Sequence, residues 1–132
     1  MGNKMNLNEK YAVEKVQGVV DSANMCLFVT NSTVTSLTSK PTATQKVDDD
    51  GTLWFFSSAA SNKNKEIADD GRVQLFYSNK SEYLSIRGEA TVVHDKAKAK
   101  ELWSQVAGSW FTEGIDDPDL TLVKVKPQNA RY

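Results

Sequence analysis

The chain has 132 residues, a formal net charge of −1, 39% hydrophobic residues and 25% charged residues. This balance is typical of one folded domain, here residues 1–132, and excludes disordered and fibrous classes. The basic residues form no stripe and no apolar run is long enough to cross a bilayer, which argues against bulk nucleic-acid binding and against a membrane protein.

The N-terminal half is predicted to begin with a helix and to continue with strands. Apolar residues recur at helical spacing over about residues 8–23, which indicates an amphipathic helix. Strands are predicted over residues 25–31, which are apolar, and over residues 37–47, which are mostly polar. An Asp-Gly turn at residues 48–51 then leads into a short aromatic strand at residues 53–58, a typical hairpin signal.

The next elements are a short helix and two strands. The helix is predicted over about residues 62–69, where an Asp-Gly pair follows and ends it. One strand is predicted over residues 73–78 and a longer one over residues 83–94. In the longer strand apolar and polar residues alternate, so one face is expected to be buried and the other to meet solvent.

The last predicted elements are a helix and a strand. The helix begins after Asp95, a plausible cap, and continues to about residue 110. The strand covers residues 120–126 and is closed by Pro127. The predicted order has about six short strands and three helices without regular β-α alternation, which favours an antiparallel barrel or sandwich with helices packed outside.

The chain has one cysteine, Cys26, inside an apolar run. It excludes a disulfide within the chain and indicates a reducing compartment, so we expect a cytoplasmic protein. A lone cysteine in a buried strand is most often a small hydrophobic residue rather than a nucleophile.

The strongest chemical signal lies where the aromatic strand leads into the short helix. Residues 57–65 read Ser-Ser-Ala-Ala-Ser-Asn-Lys-Asn-Lys, with two lysines at a helix start. The N-terminus of a helix presents unpaired N–H groups and the positive end of its dipole, so lysines there make sense if an anion such as phosphate binds. The alternative is an ordinary serine or asparagine cap with solvated lysines, which physics alone favours.

Two weaker signals accompany the first. Residues 39–46 carry the donors Lys40, Thr42, Thr44 and Lys46 on alternate positions, which fits either a cofactor-binding strand face or a solvent-facing edge strand. Trp110 and Phe111 follow a helix; they fit a cover over a planar ring, a subunit interface or ordinary core.

Other classes of site find no support. The single histidine, His94, cannot build a His-rich metal site, and no Cys/His ligand spacing occurs. Dinucleotide-binding, P-loop and nucleophile-elbow motifs are absent from the sequence. No catalytic acid, base or nucleophile can be named, and no metal is expected.

Several segments, taken in order, resemble the general stress protein branch of the pyridoxamine 5'-phosphate oxidase-like superfamily. They are Lys-Pro-Thr-Ala-Thr-Gln at 40–45, Leu-Trp-Phe-Phe-Ser-Ser at 53–58, Ser-Asn-Lys-x-x-Glu-Ile at 61–67, Tyr-Leu-Ser-Ile-Arg-Gly-Glu-Ala at 83–90, and Asp-Asp-Pro-Asp-Leu at 116–120. The likeness covers about residues 8–132. It implies a six-stranded antiparallel split β-barrel that binds FMN, with FAD as the alternative flavin, and a homodimer with flavin at the subunit interface.

The resemblance also implies site residues by position. The strand residues Lys40, Thr42, Ala43, Thr44 and Gln45 would line the flavin. Phe56, Ser57 and Ser58 would contact its ring or ribityl chain, Ser61, Asn62 and Lys63 its phosphate, and Trp110 and Phe111 would approach from the partner subunit.

Departures from the family pattern weaken the expected flavin affinity. Lys40-Pro41-Thr42 stands where the family has Arg-Pro-Met, and lysine lacks the bidentate fork of arginine. Asn62 replaces an arginine of the oxidase. The functions left open are an FMN-dependent oxidoreductase, a non-catalytic flavin-binding stress protein that acts as store, scavenger or sensor, and a ligand-free or haem-binding barrel. Classical pyridoxamine 5'-phosphate oxidation is not expected, because the substrate-binding C-terminal segment of the oxidase is not visible.

Overall fold

The computed structural model describes residues 5–7, 9–30, 38–103, 111 and 113–132. These residues form three α-helices, a 3₁₀ turn and seven β-strands. In chain order they are α1 (Lys10–Ala23), β1 (Met25–Thr30), β2 (Thr38–Ala43), β3 (Lys46–Val47), β4 (Leu53–Ser58), α2 (Asn62–Asp69), β5 (Arg72–Ser78), β6 (Tyr83–Val93), α3 (Lys96–Leu102), the 3₁₀ turn (Gly114–Asp116) and β7 (Leu120–Arg131).

The strands form one antiparallel sheet in the order β2-β1-β5-β6-β7-β4-β3. Its two end strands, β2 and β3, are separated in the sequence by Thr44 and Gln45 alone. The Thr44 N–H donates to the Asn24 carbonyl at 3.1 Å and the Gln45 N–H to the Trp54 carbonyl at 2.8 Å. The sheet therefore curls until its ends meet, which is the geometry of a barrel.

This topology confirms the predicted antiparallel barrel with flanking helices. The strand count is seven instead of six because the predicted strand over residues 37–47 divides into β2 and β3. At the junction the chain changes its hydrogen-bonding neighbour from β1 to β4. The predicted hairpin between β3 and β4 is present, with Gly51 at φ +92° in its turn, a conformation that glycine adopts without strain.

The barrel interior is filled by alternate residues of the strands and closed by helices. Helix α1 contributes Ala12, Val13, Val16, Val19 and Val20, all buried as their spacing predicted. The fully buried centre comprises Phe28, Leu53, Phe55, Val73, Leu75, Tyr77, Leu84, Ile86, Val123 and Val125. None of the helices in the described ranges is long and apolar enough to cross a membrane.

A second apolar cluster lies outside the barrel, on the other face of β4. It comprises Trp54, Phe56, Ala99, Leu102, Phe111 and Leu122, with Trp103 partly buried against them. Because α3 covers this face, β4 is buried on both sides, which explains its run of aromatic residues.

Helix α3 is shorter than its periodicity predicts. Asp95 caps it as expected, accepting a hydrogen bond from the Lys98 N–H at 3.0 Å. The helix ends at Leu102, and Trp103 is extended (φ −60°, ψ 135°). Leaving the helix places the Trp103 ring edge-on to Phe56, with centroids 5.8 Å apart, so tertiary packing overrides the helical pattern. The rest of the predicted helix, including Trp110, lies outside the described residues.

The last strand is longer than predicted, because Pro127 does not end it. Strand β7 continues to Arg131, and the register with β6 shifts where Gly88 pairs with Pro127 and Arg87 with Asn129. Residue 128 is the extra residue of this bulge. Beyond Val125, β7 has left its other neighbour β4, and proline is tolerated at a bulge or an edge because its missing N–H breaks no ladder there.

A cluster of polar side chains fastens α1 to the β5–β6 hairpin and to the C-terminal residue. Lys15 Nζ donates to Glu82 Oε2 at 2.6 Å, and the Tyr132 hydroxyl donates to the same oxygen at 2.8 Å. Asn79 Nδ2 donates to Glu82 Oε1 at 3.2 Å. The Lys15 ammonium also lies 4.2 Å from the centre of the Tyr132 ring. The hydrogen bonds from Lys15, Asn79 and Tyr132 lower the pKa of the Glu82 carboxyl from 4.5 to about 2.

This shift predicts a pH dependence of stability. Because the pKa of Glu82 is lower in the folded state, its contribution is complete above about pH 4.5 and is lost as the pH falls toward about 2. We expect Glu82→Gln to lower the thermal unfolding midpoint at pH 7 and to differ progressively less from wild type between these two pH values. Glu14→Gln, at an exposed pair with Lys10, is the control and should change little at any pH. A constant difference for Glu82→Gln down to pH 2 would contradict the prediction.

Candidate functional site

The start of α2 is a capped helix end. Ser61 Oγ accepts a hydrogen bond from the Asn64 N–H at 3.2 Å, and the Ser61 N–H donates to the Ser58 carbonyl at 3.0 Å. The N–H groups of Asn62 and Lys63 have no acceptor among the described residues, as is usual for a first helical turn. Asn62 is exposed. This end of α2 therefore offers two backbone donors and the positive end of the helix dipole.

Lys63 turns from this helix toward the inner face of β1 and β2. Its ammonium donates to Thr42 Oγ1 at 3.0 Å and lies 4.8 Å from the centre of the Phe28 ring. It makes no ion pair with any residue in the described ranges. Burial lowers the pKa of this ammonium; Cys26 opposes the shift and Lys40 adds to it. Within the part of the chain that the structure describes, Lys63 is thus a half-buried cation without a carboxylate partner, which is energetically costly unless an anion is supplied.

A second lysine lies on the same face. Lys40 pairs directly with Phe28 across the β1–β2 ladder, and directly opposed residues of antiparallel strands share a face. Lys40, Lys63 and Phe28 line one small cavity of about 10 Å³ with Thr30, Thr38 and Glu66. A cavity of that size holds about one water molecule.

Glu66 adds an acidic group to the lining of this cavity. The Thr30 hydroxyl donates to Glu66 Oε2 at 2.6 Å, and Glu66 lies one helical turn beyond Lys63 on α2. The residues that line the cavity therefore include two lysines and one glutamate. Neither Glu66 nor Thr30 was expected here, although the three-residue spacing of Lys63 and Glu66 indicates that these two share one face of α2.

The remaining strand donor, Thr44, is directed into the core. Its hydroxyl and that of Tyr77 share a hydrogen bond of 2.5 Å inside the barrel. Cys26 is buried beside them, as its sequence context predicted. Burial raises the pKa of both the Cys26 thiol and the Tyr77 hydroxyl, so both remain protonated at neutral pH.

The serines at the end of β4 are bonded within the protein. Ser57 Oγ shares a hydrogen bond of 2.7 Å with Thr121 Oγ1, which also accepts from Asn64 Nδ2 at 2.9 Å. Ser58 Oγ donates to Asp119 Oδ2 at 2.5 Å. No sequence motif pointed to Thr121 or Asn64 as partners of Ser57. Residues 116–120 entered only through the family resemblance, and the structure shows that Asp119 of this run accepts the hydrogen bond from the Ser58 hydroxyl.

Comparison with known proteins places this geometry in a family. The family model described as "Pyridoxamine 5'-phosphate oxidase like" matches residues 11–132. The chain belongs to this family.

Individual relatives agree with this assignment. General stress protein 26 of Bacillus subtilis (strain 168) is 25% identical over 85 residues, which are 61% of this chain and 60% of that protein. The structure of a general stress FMN/FAD binding protein from Xanthomonas citri is similar with a TM-score of 0.78 and 25% identity, over 92% of this chain and 87% of that one. A protein related to general stress protein 26 from Clostridium acetobutylicum has the same fold, with a TM-score of 0.77 and 19% identity, over 94% and 89% of the two chains.

In this pyridoxamine 5'-phosphate oxidase-like chain the residues expected to form the site fall into separate groups. The phosphate candidates Ser61, Asn62 and Lys63 are adjacent at the start of α2, and Lys63 meets Thr42 and neighbours Lys40. Ala43 and Gln45 are partly buried at the end of β2 and just beyond it. Lys40, Thr42 and Ala43 therefore lie on the same strand, β2, and Gln45 follows shortly after it.

The aromatic candidates lie on the opposite face of β4. Phe56 packs against Phe111, with centroids 6.4 Å apart, and against Trp103. Phe111 is 4% exposed, because residues of its own chain in the second apolar cluster cover it. The expectation that Phe111 approaches a partner's flavin stays a prediction, and Trp110 lies outside the described residues. Trp103 lies within the helix predicted to continue to about residue 110, and no sequence signal marked it as a direct neighbour of Phe56.

Proposed function

We propose that this protein binds FMN through its phosphate and acts as an FMN-dependent oxidoreductase of the general stress type. The observation that carries the proposal is the pair of lysines, Lys63 and Lys40, that line one cavity beside a helix N-terminus while Lys63 has no carboxylate partner in the described ranges. A phosphate monoester carries up to two negative charges near neutral pH, which two lysines can neutralise. Family membership and a relative described as FMN/FAD-binding support the choice of flavin.

Binding in this arrangement involves a movement of the Lys63 side chain. The cavity of about 10 Å³ is too small for a phosphate group, whereas the start of α2, with Asn62 exposed, is open to solvent. Lys63 would leave Thr42 and turn toward the anion, its long flexible side chain allowing this without a change in the backbone. The unbonded N–H groups of Asn62 and Lys63 would then donate to phosphate oxygens.

The flavin itself supplies the redox chemistry, and the protein binds and orients it. In the proposal, Ala43, the backbone of Thr44 and Gln45 line the flavin beyond the phosphate, because the Thr44 hydroxyl is bonded to Tyr77 in the core. Phe56, Ser57 and Ser58 contact the ring or ribityl chain, Ser57 only after releasing Thr121. Ser58 does so only after releasing Asp119. Since Cys26 and Tyr77 are buried and protonated, neither serves as a base.

We further propose that two copies of the chain assemble with the flavins at their interface. An apolar row crosses the outer face of the sheet, because Pro41 pairs with Leu27 and Leu27 with Phe76. Leu27 and Phe76 are each 42% exposed and Met25 is 46% exposed, and exposed apolar patches of this kind commonly mark protein interfaces. The face continues into a cavity of about 920 Å³ lined by Phe76, Tyr83 and Tyr132.

The proposed location is the cytoplasm, in keeping with a single buried cysteine.

A flavin titration tests the central proposal. The purified protein is titrated into FMN, FAD and riboflavin while flavin fluorescence is followed. We expect FMN to bind more tightly than riboflavin, because only FMN carries a phosphate for the lysines. Riboflavin binding as tightly as FMN, or no binding of FMN, would contradict the phosphate site.

A non-catalytic flavin-binding stress protein is the second candidate function. It is favoured by one observation: the thiol and the phenol nearest the site, Cys26 and Tyr77, are buried and protonated, so neither can act as a base. The two candidates are separated by adding NADH or NADPH to the FMN-loaded protein under nitrogen. Bleaching of the flavin band within seconds, reversed by air, supports the oxidoreductase. A band that remains unbleached over hours supports the store, scavenger or sensor.

A further inference from the structure

A buried polar atom on the first turn of α2 lacks a hydrogen-bond partner. Asn64 is 7% exposed, and its Oδ1 is buried without a donor among the residues that the structure describes. Burying a carbonyl oxygen without replacing its hydrogen bonds to water costs folding free energy, so native proteins rarely leave one in this state. This oxygen is therefore a candidate contact for a ligand.

The hydrogen bonds around Thr121 fix the orientation of the Asn64 amide. The Thr121 hydroxyl donates its single proton to the Ser57 carbonyl at 3.0 Å. Toward its other neighbours it can only accept, and it does so from Asn64 Nδ2 at 2.9 Å and from Ser57 Oγ at 2.7 Å. Because Nδ2 faces Thr121, Oδ1 is the amide atom left without a partner.

The Asn64 side chain connects the proposed phosphate site to the interior of the barrel. Along α2 it follows Asn62 and Lys63, whose backbone N–H groups are proposed to bind the phosphate. Its amide reaches Thr121, which is the cross-strand partner of Ser57. Asn64 thus lies beside the proposed phosphate donors and beside a residue proposed to contact the flavin ring or ribityl chain.

We infer that Asn64 Oδ1 accepts a hydrogen bond from a hydroxyl group of the ribityl chain. The inference rests on the flavin function proposed above, and the family resemblance gives Asn64 no role. A carbonyl oxygen repels a phosphate, so its partner must be a donor. The donors of FMN are the ribityl hydroxyl groups and the ring N–H, and of these only the hydroxyl groups lie next to the phosphate.

The contact requires the side chains that cover Oδ1 in the unliganded chain to move. The flavin site proposed above already requires one such movement, because Ser57 must release Thr121. After that release Thr121 keeps Asn64 as a donor and the Ser57 carbonyl as an acceptor, so it is not left without partners. The terminal torsion of asparagine is broad, which lets the amide adjust to a ligand hydroxyl at little cost.

The test uses wild type and Asn64→Leu with FMN, with riboflavin, which lacks the phosphate, and with lumiflavin, which lacks the ribityl chain as well. Leucine has nearly the shape of asparagine but accepts no hydrogen bond. We expect the variant to bind FMN and riboflavin more weakly by the same factor, roughly three- to tenfold, as is usual when one neutral hydrogen-bond partner is removed. Its affinity for lumiflavin should change by no more than about twofold.

The thermal midpoint of the flavin-free protein is a second readout, which a merely structural role would move. Asn64→Leu removes an unpartnered buried oxygen, and Thr121 retains Ser57 as a donor, so the midpoint should not fall. Thr121→Val is the control, since it deprives Ser57 and Asn64 of their shared partner. This control should lower the midpoint by several degrees.

The three flavins separate the ways in which the inference can fail. Unchanged affinities of Asn64→Leu for FMN and riboflavin overturn it, and a lower midpoint in that case makes Asn64 a structural residue. Equal losses for all three flavins assign the effect to the ring or to folding, and a loss confined to FMN assigns it to the phosphate.

Failure of the proposed function gives a different result. A wild type that binds none of the three flavins overturns that function and this inference together. Equal binding of FMN and riboflavin by the wild type contradicts the phosphate site alone, and the ratio of riboflavin to lumiflavin affinity still decides the role of Asn64.

Discussion

Replacing Lys63 by alanine is expected to weaken FMN binding roughly 10- to 100-fold, which is the usual cost of removing one charged hydrogen-bond partner from a partly desolvated anion. The reason is geometric, since the Lys63 ammonium lies at 3.0 Å from Thr42, beside Lys40 and next to a helix N-terminus. Isothermal titration or flavin fluorescence measures the change. Riboflavin, which has no phosphate, should bind wild type and Lys63→Ala alike.

Lys65 provides a matched control for this prediction. It is two residues further along α2, carries the same charge and is exposed. Lys65→Ala should change FMN affinity less than threefold, since an exposed charge is screened by solvent. FMN affinity equal to wild type in Lys63→Ala, or equal losses in both variants, would refute a specific role for Lys63.

Lys63 should also show opposite effects on binding and on stability. In the unliganded protein its ammonium is half-buried without a carboxylate partner in the described ranges, and burial lowers its pKa. Lys63→Met keeps the length of the side chain and removes the charge, so the thermal midpoint of the flavin-free protein should not fall, whereas FMN affinity should. A residue with a merely structural role would lose stability on this change. The combination is typical of functional sites that sacrifice stability.

Gly88→Ala is expected to destabilise the fold by about 2–3 kcal/mol and to lower the unfolding midpoint by roughly 10 °C. A Cβ at this position would lie 2.7 Å from the Lys126 carbonyl oxygen and 2.9 Å from Val125 Cγ1. The carbonyl oxygen is part of the backbone of the paired strand, so it cannot turn aside as a flexible side chain would. The close contact with the new Cβ can be relieved only if β6 and β7 separate at the bulge, where Gly88 pairs with Pro127. Differential scanning calorimetry measures the loss.

The same substitution at Gly18 serves as its control. Gly18 lies within α1, and a Cβ added there meets nothing within 4 Å. Gly18→Ala should therefore stabilise the protein by about 0.5–1 kcal/mol, because alanine loses less backbone entropy in a helix. If Gly88→Ala left the midpoint unchanged while Gly18→Ala raised it, the close approach of the two strands would be disproved.

Most elements of the fold could be predicted because their signals are local. The stripe of α1, the alternation of β6 and the Asp95 cap depend on neighbours within a few residues, and all three are observed. The two boundaries that were wrong depend on distant partners. Helix α3 ends early because Trp103 packs on Phe56, and β7 passes Pro127 because a bulge opposite Gly88 accommodates it.

The site was predictable in part. The motif at the start of α2 pointed to Ser61, Asn62 and Lys63, and the resemblance added Lys40 and Thr42. The sequence could not show which side chains already have hydrogen-bond partners within the protein. Ser57 bonds Thr121 and Ser58 bonds Asp119, and each partner is about sixty residues away in the chain. Assignment of these serines as direct flavin contacts therefore stays a prediction.

By itself, the sequence determined the capped short helix with its lysines, the alternation that buries one side of β6, and the resemblance to a flavin-binding family. Only the tertiary structure decided that Lys40, Lys63 and Glu66 line one cavity and that the sheet ends meet at Thr44 and Gln45. Spacing along the chain sets which face a side chain occupies. The register between strands, and the angle at which α2 crosses them, set what that face meets, and both depend on contacts made across the whole barrel.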